Sequence, residues 1–296
     1  MINRPIARVS LLFALCLFSF TSARADLGQK QAKKAIANAA GMSLPSSAVR
    51  IERIVSSTSA NAEVSTELEL VFRFAREDNA SWRIREVRTG EAKWEDIEAL
   101  THALGIDLPA DKCSSADETG RARTSELTNQ RARCLVAQFF SIPLPSDAVR
   151  VKDISKLDLG TQPSALAVTL VQADFRLEKD RSGWQVVGFR SGNRDWTSVG
   201  SARDTLDSIK RDKTNADMNA IAAALEAFRK ERGSFVISDK HSALIDSLTP
   251  RFLARVIRLD SWQRPFHYHG ERDHFTLRSL GPDGKENTGD DLVLNR

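Results

Sequence analysis

The sequence predicts an α+β protein: two tandem helix-plus-antiparallel-meander domains, then a third unit in which a long helix packs on a small antiparallel sheet. Three observations carry this. First, Leu44-Pro45-Ser46-Ser47-Ala48-Val49-Arg50-Ile51 recurs as Leu144-Pro145-Ser146-Asp147-Ala148-Val149-Arg150-Val151, an offset of 100 residues, and Trp82, Gly90 and Trp94 recur as Trp184, Gly192 and Trp196 at an offset of 102. A correspondence that runs through a whole unit marks a duplicated domain rather than a short motif. Second, each copy opens on helical periodicity and continues in alternating, strand-like runs. Third, from Thr205 the pattern changes to a long amphipathic helix. The chain therefore divides into a signal peptide at 1–25, a first repeat at 26–109, a linker at 110–124, a second repeat at 125–203 and a C-terminal domain at 204–296.

The first element is an export signal. Arg4 and Arg8 precede the apolar run Val9–Phe20, and small residues end in Ala23-Arg24-Ala25, so cleavage is expected before Asp26. The run is too short to span a bilayer, and no later stretch approaches the roughly 20 apolar residues that a transmembrane helix needs. The mature chain is expected to carry no transmembrane anchor. A lipoprotein signal is disfavoured because Cys16 follows Ala14-Leu15 and lies inside the apolar run. The net charge of +4 loses Arg4, Arg8 and Arg24 with the signal, giving +4 − 3 = +1, and nothing in that balance points to nucleic acid. Cys113 and Cys134 remain in the mature chain, and two cysteines in an exported protein favour a disulfide over a metal pair, the alternative being two separate thiols.

In the first copy Gln29–Ala40 is helical and Val49–Val55, Thr66–Phe74 and Trp82–Arg88 are strands, with Leu68, Leu70, Phe72 and Phe74 on one buried face. The second copy repeats this as helix Ser125–Phe140 and strands Val149–Ile154, Ala165–Leu177 and Trp184–Phe189. Pro45 and Pro145 help to end the helices, since proline cannot continue one. Trp82, Trp94, Trp184 and Trp196 are candidate ligand-facing aromatics for a glycan or peptide; the plainer reading makes them core residues that recur because the fold recurs.

The C-terminal domain opens with a helix carrying Met218, Ile221, Ala222, Leu225 and Phe228 on one face, stopped at Gly233. Shorter helical segments, Ser242–Leu248 and Arg251–Val256, lead to two strands, Phe266–His269 and His274–Ser279, around a turn at Gly270–Asp273. Three phrases in order resemble those of the major pseudopilin (G subunit) family of type II secretion. Phe228-Arg229-Lys230-Glu231-Arg232-Gly233-Ser234-Phe235 is similar to Tyr/Phe-x-x-x-x-Gly-x-Tyr/Phe, and Asp260-Ser261-Trp262-Gln263-Arg264-Pro265-Phe266-His267-Tyr268 to Asp-Pro-Trp-Gly-x-Pro-Tyr-x-Tyr. Ser279-Leu280-Gly281-Pro282-Asp283-Gly284 is similar to Ser-Leu-Gly-x-Asp-Gly with its acidic tail.

The resemblance implies a pseudopilin-like head with a calcium loop at Ser279–Asp291. Carried over by position, it makes Asp283, Asp290 and Asp291 carboxylate ligands and Leu280 and Thr288 carbonyl ligands. The residues agree: Asp283, Glu286, Asp290 and Asp291 against Lys285 alone give a local charge of −3, which a hard cation bound through oxygens would relieve. A merely solvated acidic tail is the alternative. His267, His269 and His274 on the hairpin lack a fourth ligand at a convincing spacing, so zinc is not expected.

A member of that family also begins with a leader, a Gly-Phe-Thr-Leu-x-Glu phrase and an apolar helix. Here the stretch before the head, Arg203–Asp217, is charged, and assembly into a pseudopilus by the usual route is not expected. No Gly-x-Ser-x-Gly, His-Glu-x-x-His or phosphate-cradling glycine loop appears, and no enzyme activity is expected. Two functions follow. One is an exported, calcium-binding structural or accessory component of a secretion or pilus-type machine, in the periplasm, at the outer-envelope surface or outside the cell, partnering pseudopilins or other machine proteins. The other is a glycan- or peptide-binding protein that uses the repeats, with the head as a stability module.

Overall fold

A computed structural model describes residues 27–76, 81–106, 113, 126–157 and 163–296. The expected signal peptide and, apart from Cys113, the expected linker lie outside the described residues. The first copy runs α1 (Gln29–Ala37), β1 (Val49–Ser57), β2 (Asn61–Arg76), β3 (Trp82–Arg88), β4 (Trp94–Asp96) and α2 (Ile97–Ala103). The second runs α3 (Asn129–Phe139), β5 (Val149–Leu157), β6 (Ser164–Asp180), β7 (Gly183–Arg190) and β8 (Thr197–Ser198). After it come α4 (Val199–Arg232), α5 (His241–Leu248), β9 (His267–Gly270), β10 (Phe275–Ser279) and β11 (Leu292–Asn295). Among the described residues no helix is long and apolar enough to cross a membrane.

How the copies pair, which the sequence leaves open, is settled by β2 and β6. These strands run antiparallel from Asn61↔Glu178 to Ala75↔Ser164 and join both meanders in one sheet of order β4-β3-β2-β6-β7-β8, with β1 on β2 and β5 on β6. The pairing is self-complementary. Phe72 and Phe175 are equivalent, an offset of 175 − 72 = 103 in these strands, and at that offset Leu68 pairs with its own counterpart Val171 (68 + 103 = 171). Thr66 and Thr169 are likewise counterparts. Each is buried, and each donates its hydroxyl across the junction, to Ala173 O at 2.9 Å and to Leu70 O at 3.3 Å. The copies thus meet as the halves of a two-fold dimer do.

Even-numbered residues of β2 and odd-numbered residues of β6 face one shared core, with α1 and α3 laid across it. Each helix packs on its own copy's first strand and on the other copy's third: α1 on β1 and β7, α3 on β5 and β3. Phe72 of the first copy stands edge-on to Phe139 and Phe140 of the second, at 6.3 and 6.2 Å between centroids. Cys113 and Cys134 are joined as a disulfide, Cα to Cα 5.8 Å, which ties Cys113 to α3.

A second core belongs to the C-terminal unit: Ile221 and Leu225 of α4 meet Phe235, Leu244, Leu248, Phe266, Phe275 and Leu277. Burying side chains of this size stabilises by roughly 1.5–3 kcal/mol each. Gly233 ends α4 with φ 80°, the left-handed turn glycine adopts most readily.

Three expectations change. Arg251–Val256 is not helical; after α5 the chain turns at Pro250, which has no N–H to continue the helix, and closes with Phe252 N and Leu253 N on Leu248 O. The long helix begins at Val199 rather than Thr205, and a short helix, α2, follows β4. These two differences have one cause. Asp96 caps α2 by accepting from Ala99 N at 3.1 Å, and Ser198, its counterpart at 102, caps α4 by accepting from Ser201 N at 3.3 Å. Each repeat therefore ends in a capped helix, and in the second copy that helix continues unbroken into the C-terminal unit.

Candidate functional site

The acidic loop is the connection between β10 and β11, whose pairing (Ser279↔Leu292 to Thr276↔Asn295) closes its ends. Gly281 takes φ 57°, and a Cβ there would lie 2.3 Å from Asp290 O, so the chain can close this tightly only at glycine. Within the loop Asp283 Oδ1 accepts from Lys285 N at 2.8 Å, Asp290 Oδ2 from Asp283 N at 3.0 Å, and Asp291 Oδ2 from Asn287 N at 2.9 Å.

Oxygens of all three aspartates also converge on the Thr288 hydroxyl, which lies 2.6 Å from Asp290 Oδ1, 3.4 Å from Asp291 Oδ1, 3.3 Å from Asp283 Oδ1 (the oxygen that also accepts Lys285 N) and 3.1 Å from Lys285 O. A hydroxyl has one proton and can satisfy one of these four acceptors. The result is an oxygen-rich centre, approached from one side by Arg278 Nη1 at 3.9 Å from Asp291 Oδ2. The Thr288 hydroxyl, followed by the Asp283 N–H, holds the Asp290 carboxyl below the usual carboxylate range. The structure thus gathers all three aspartates expected as ligands. Of the two expected carbonyls, Leu280 O accepts Gly284 N at 3.1 Å and Thr288 O accepts Asp291 N at 3.3 Å. Glu286 leaves the centre and faces His267 at 3.3 Å. Among the described residues no group of three or more His, Cys, Asp or Glu side chains is closed tightly enough to hold a metal as the chain stands. The donor set is nonetheless wholly hard oxygen, which suits calcium and not zinc.

Sequence reasoning did not identify what supports the loop. Asp260 is 4% exposed; its Oδ1 accepts from Trp262 N and Arg264 N, both at 2.9 Å, and its Oδ2 from the Ser279 hydroxyl at 2.6 Å. Arg264 donates to Gly281 O and, at 3.2 Å, to Pro282 O. The Asp260–Pro265 phrase and the Ser279–Gly284 phrase are therefore two sides of one contact, a fact visible in sequence only as their joint presence. The resemblance implies a role for the Thr288 carbonyl, whereas the structure puts its hydroxyl at the centre.

The hairpin histidines are all exposed. His269 Nδ1 meets Asp239 and its Nε2 lies 3.4 Å from Glu271, which also approaches His274 at 3.6 Å. Asp239 first and Glu271 second push the His269 pKa up.

The four tryptophans divide into two pairs. Trp82 and Trp184 are in the shared core, 6% and 8% exposed. Trp94 and Trp196 are half-buried and overlaid by guanidinium groups, Arg73 at 4.3 Å from the Trp94 ring centroid and Arg176 and Arg190 at 4.0 and 4.6 Å from that of Trp196.

No curated protein and no solved structure matches the chain. Residues 203–294, from the second turn of α4 to β11, match the model of the type II secretion system protein G family. The match starts at Arg203, inside the stretch of α4 that corresponds to α2 (199–205 at the offset of 102), so the helix shared with the repeats and the helix shared with the family overlap in a single element. The C-terminal region is thus similar to type II secretion system protein G and matches the expected pseudopilin-like head, set at the end of a duplicated α+β unit.

Proposed function

We propose that this protein is an exported, non-enzymatic, calcium-stabilised component of a type II secretion or pilus-type machine, acting through its pseudopilin-like head as a structural or accessory partner of pseudopilins or other envelope proteins. The observation that supports it best is the convergence of Asp283, Asp290 and Asp291 on one point of a loop locked to the family's Asp260–Pro265 phrase. A bound calcium ion would supply fixed positive charge there. Asp283, Asp290 and Asp291 would hold it, with the Leu280 and Thr288 carbonyls, and Asp260, Arg264 and Ser279 keep the loop's backbone in place around it. The role is structural, because binding available only to the folded chain adds to folding stability. The glycan- or peptide-binding reading has less support, since two of its tryptophans are core residues and arginines overlie the other two.

Calcium should raise the melting temperature of the mature chain, and Asp290→Ala should abolish the rise. Identical melting curves in chelator and in millimolar calcium would sink the metal reading. Normal secretion and piliation in a strain lacking the protein would count against the machine role.

A further inference from the structure

We propose that the Asp260–Pro265 turn couples the aspartate loop to the seat of the head on the first repeat, so that cation binding and docking strengthen one another. This rests on the calcium reading above and extends it to the repeats.

The turn has two working sides. Toward the loop, Asp260 holds Ser279 and Arg264 holds Gly281 and Pro282. The fit is close: a Cβ on Gly284 would lie 2.6 Å from Arg264 Cζ. Toward the rest of the chain, Trp262 Nε1 donates to Asp207 at 2.9 Å and Ser261 N to the Thr214 hydroxyl at 3.1 Å, both on α4. Gln263 reaches further. Its Oε1 accepts from Trp94 N at 3.2 Å and its Nε2 donates to Trp94 O.

Trp94 lies on β4, the last strand at that end of the sheet. Its neighbour Lys93 bonds back to Thr89, so the main-chain groups of Trp94 point away from β3 and would otherwise form an open edge. The Gln263 amide caps that edge as one more strand residue would. Gln263 does so from φ 64°, a left-handed backbone that a glutamine seldom adopts and that its neighbours Asp260 and Arg264 hold in place. Beside this clamp, Lys210 Nζ of α4 meets Glu95 Oε2 at 2.5 Å, and both side chains are buried. A cation that tightens the loop fixes Arg264 and Asp260, and with them the left-handed backbone from which Gln263 reaches Trp94. Linkage makes the effect reciprocal: loss of docking must weaken cation binding by the same factor.

The test uses the full mature chain and calcium alone. Calorimetric titration compares the unaltered protein with Gln263→Gly, which suits the left-handed backbone but removes the clamp, and with Glu95→Gln, on the other side of the seam and remote in sequence from the loop. Each should weaken calcium about fivefold, the low end of ordinary coupling between sites. In the unaltered protein, calcium should slow amide exchange at Trp94–Asp96. Calcium affinity unchanged in both variants, or exchange at β4 indifferent to calcium, overturns the coupling while leaving the calcium reading intact. No binding to the unaltered protein removes the calcium reading itself, and the coupling with it.

Discussion

The buried pair Lys210–Glu95 offers a sharp measure of how firmly the head is seated. Its side chains are 9% and 8% exposed and the charged atoms are 2.5 Å apart. At an effective dielectric near 20 their attraction is about 6 to 7 kcal/mol, much of which offsets the cost of removing both charges from water. Replacing one partner leaves the other buried and uncompensated, at a typical cost of about 3 to 5 kcal/mol. Lys210→Met should fall near the lower end, about 3 kcal/mol, because Lys93 Nζ stays 3.9 Å from Glu95 Oε1. Burial, more than any other cause, depresses the Lys93 pKa, and the nearby Lys210 adds to that, so removing Lys210 also leaves Lys93 easier to charge. The double replacement Glu95→Leu with Lys210→Met removes both charges and should lie within about 1 kcal/mol of the unaltered protein. Urea unfolding of the four proteins of this cycle measures the coupling directly. A single replacement costing under about 1 kcal/mol, or a double costing the sum of the singles, would refute the claim that this pair is desolvated and interdependent.

Three further outcomes are expected. Gly270→Ala should destabilise the head by about 3 kcal/mol, more than Tyr268→Phe, in thermal unfolding. The new Cβ would lie 2.1 Å from Val236 O and 2.2 Å from the Tyr268 hydroxyl, breaking their 2.7 Å bond, whereas the Phe variant loses only that bond. Serine at Cys113 and Cys134 should lower stability by about 3 kcal/mol through the freedom returned to the unfolded chain, and reduction of the native protein should reproduce the loss. The raised pKa of His269, due first to Asp239, predicts a contribution fully present below about pH 6.5 and lost as pH rises through the higher folded value. The stability difference between the native protein and His269→Gln should therefore be larger at pH 5.5 than at pH 8.5, and equal differences would contradict the Asp239 contact.

Much of the fold was legible because its elements carry local patterns. Alternation exposed β2 and β6, the duplicated phrases exposed the repeats, and Gly233 marked the end of α4. The elements that escaped were short or disguised. Ile97–Ala103 holds too few residues for a periodic signal, and β11 hides behind an acidic run whose composition suggests solvent. Arg251–Val256 has helical spacing, but Pro250 and the closing turn on Leu248 override it. In the site, charge marked the acidic loop, because repulsion among acids is a local matter, and the resemblance, not the charge, singled out Asp283, Asp290 and Asp291 from Glu286. The Thr288 hydroxyl at their focus depends on rotamers, and the Gln263 clamp joins residues 169 apart in sequence. Neither has a signature before the chain folds.

The matched ends of the two repeats have a consequence for symmetry. α2 stops after 7 residues while its counterpart α4 runs for 34. Two separate chains paired in this way would present two heads on opposite sides of their axis. Fusion into one chain makes the ends unequal: one becomes a stalk and the other a saddle on which that stalk rests, as α2 lies against α4. Within the described residues a two-fold platform is thereby made lopsided, with one extended helix and one short one at its two matched ends.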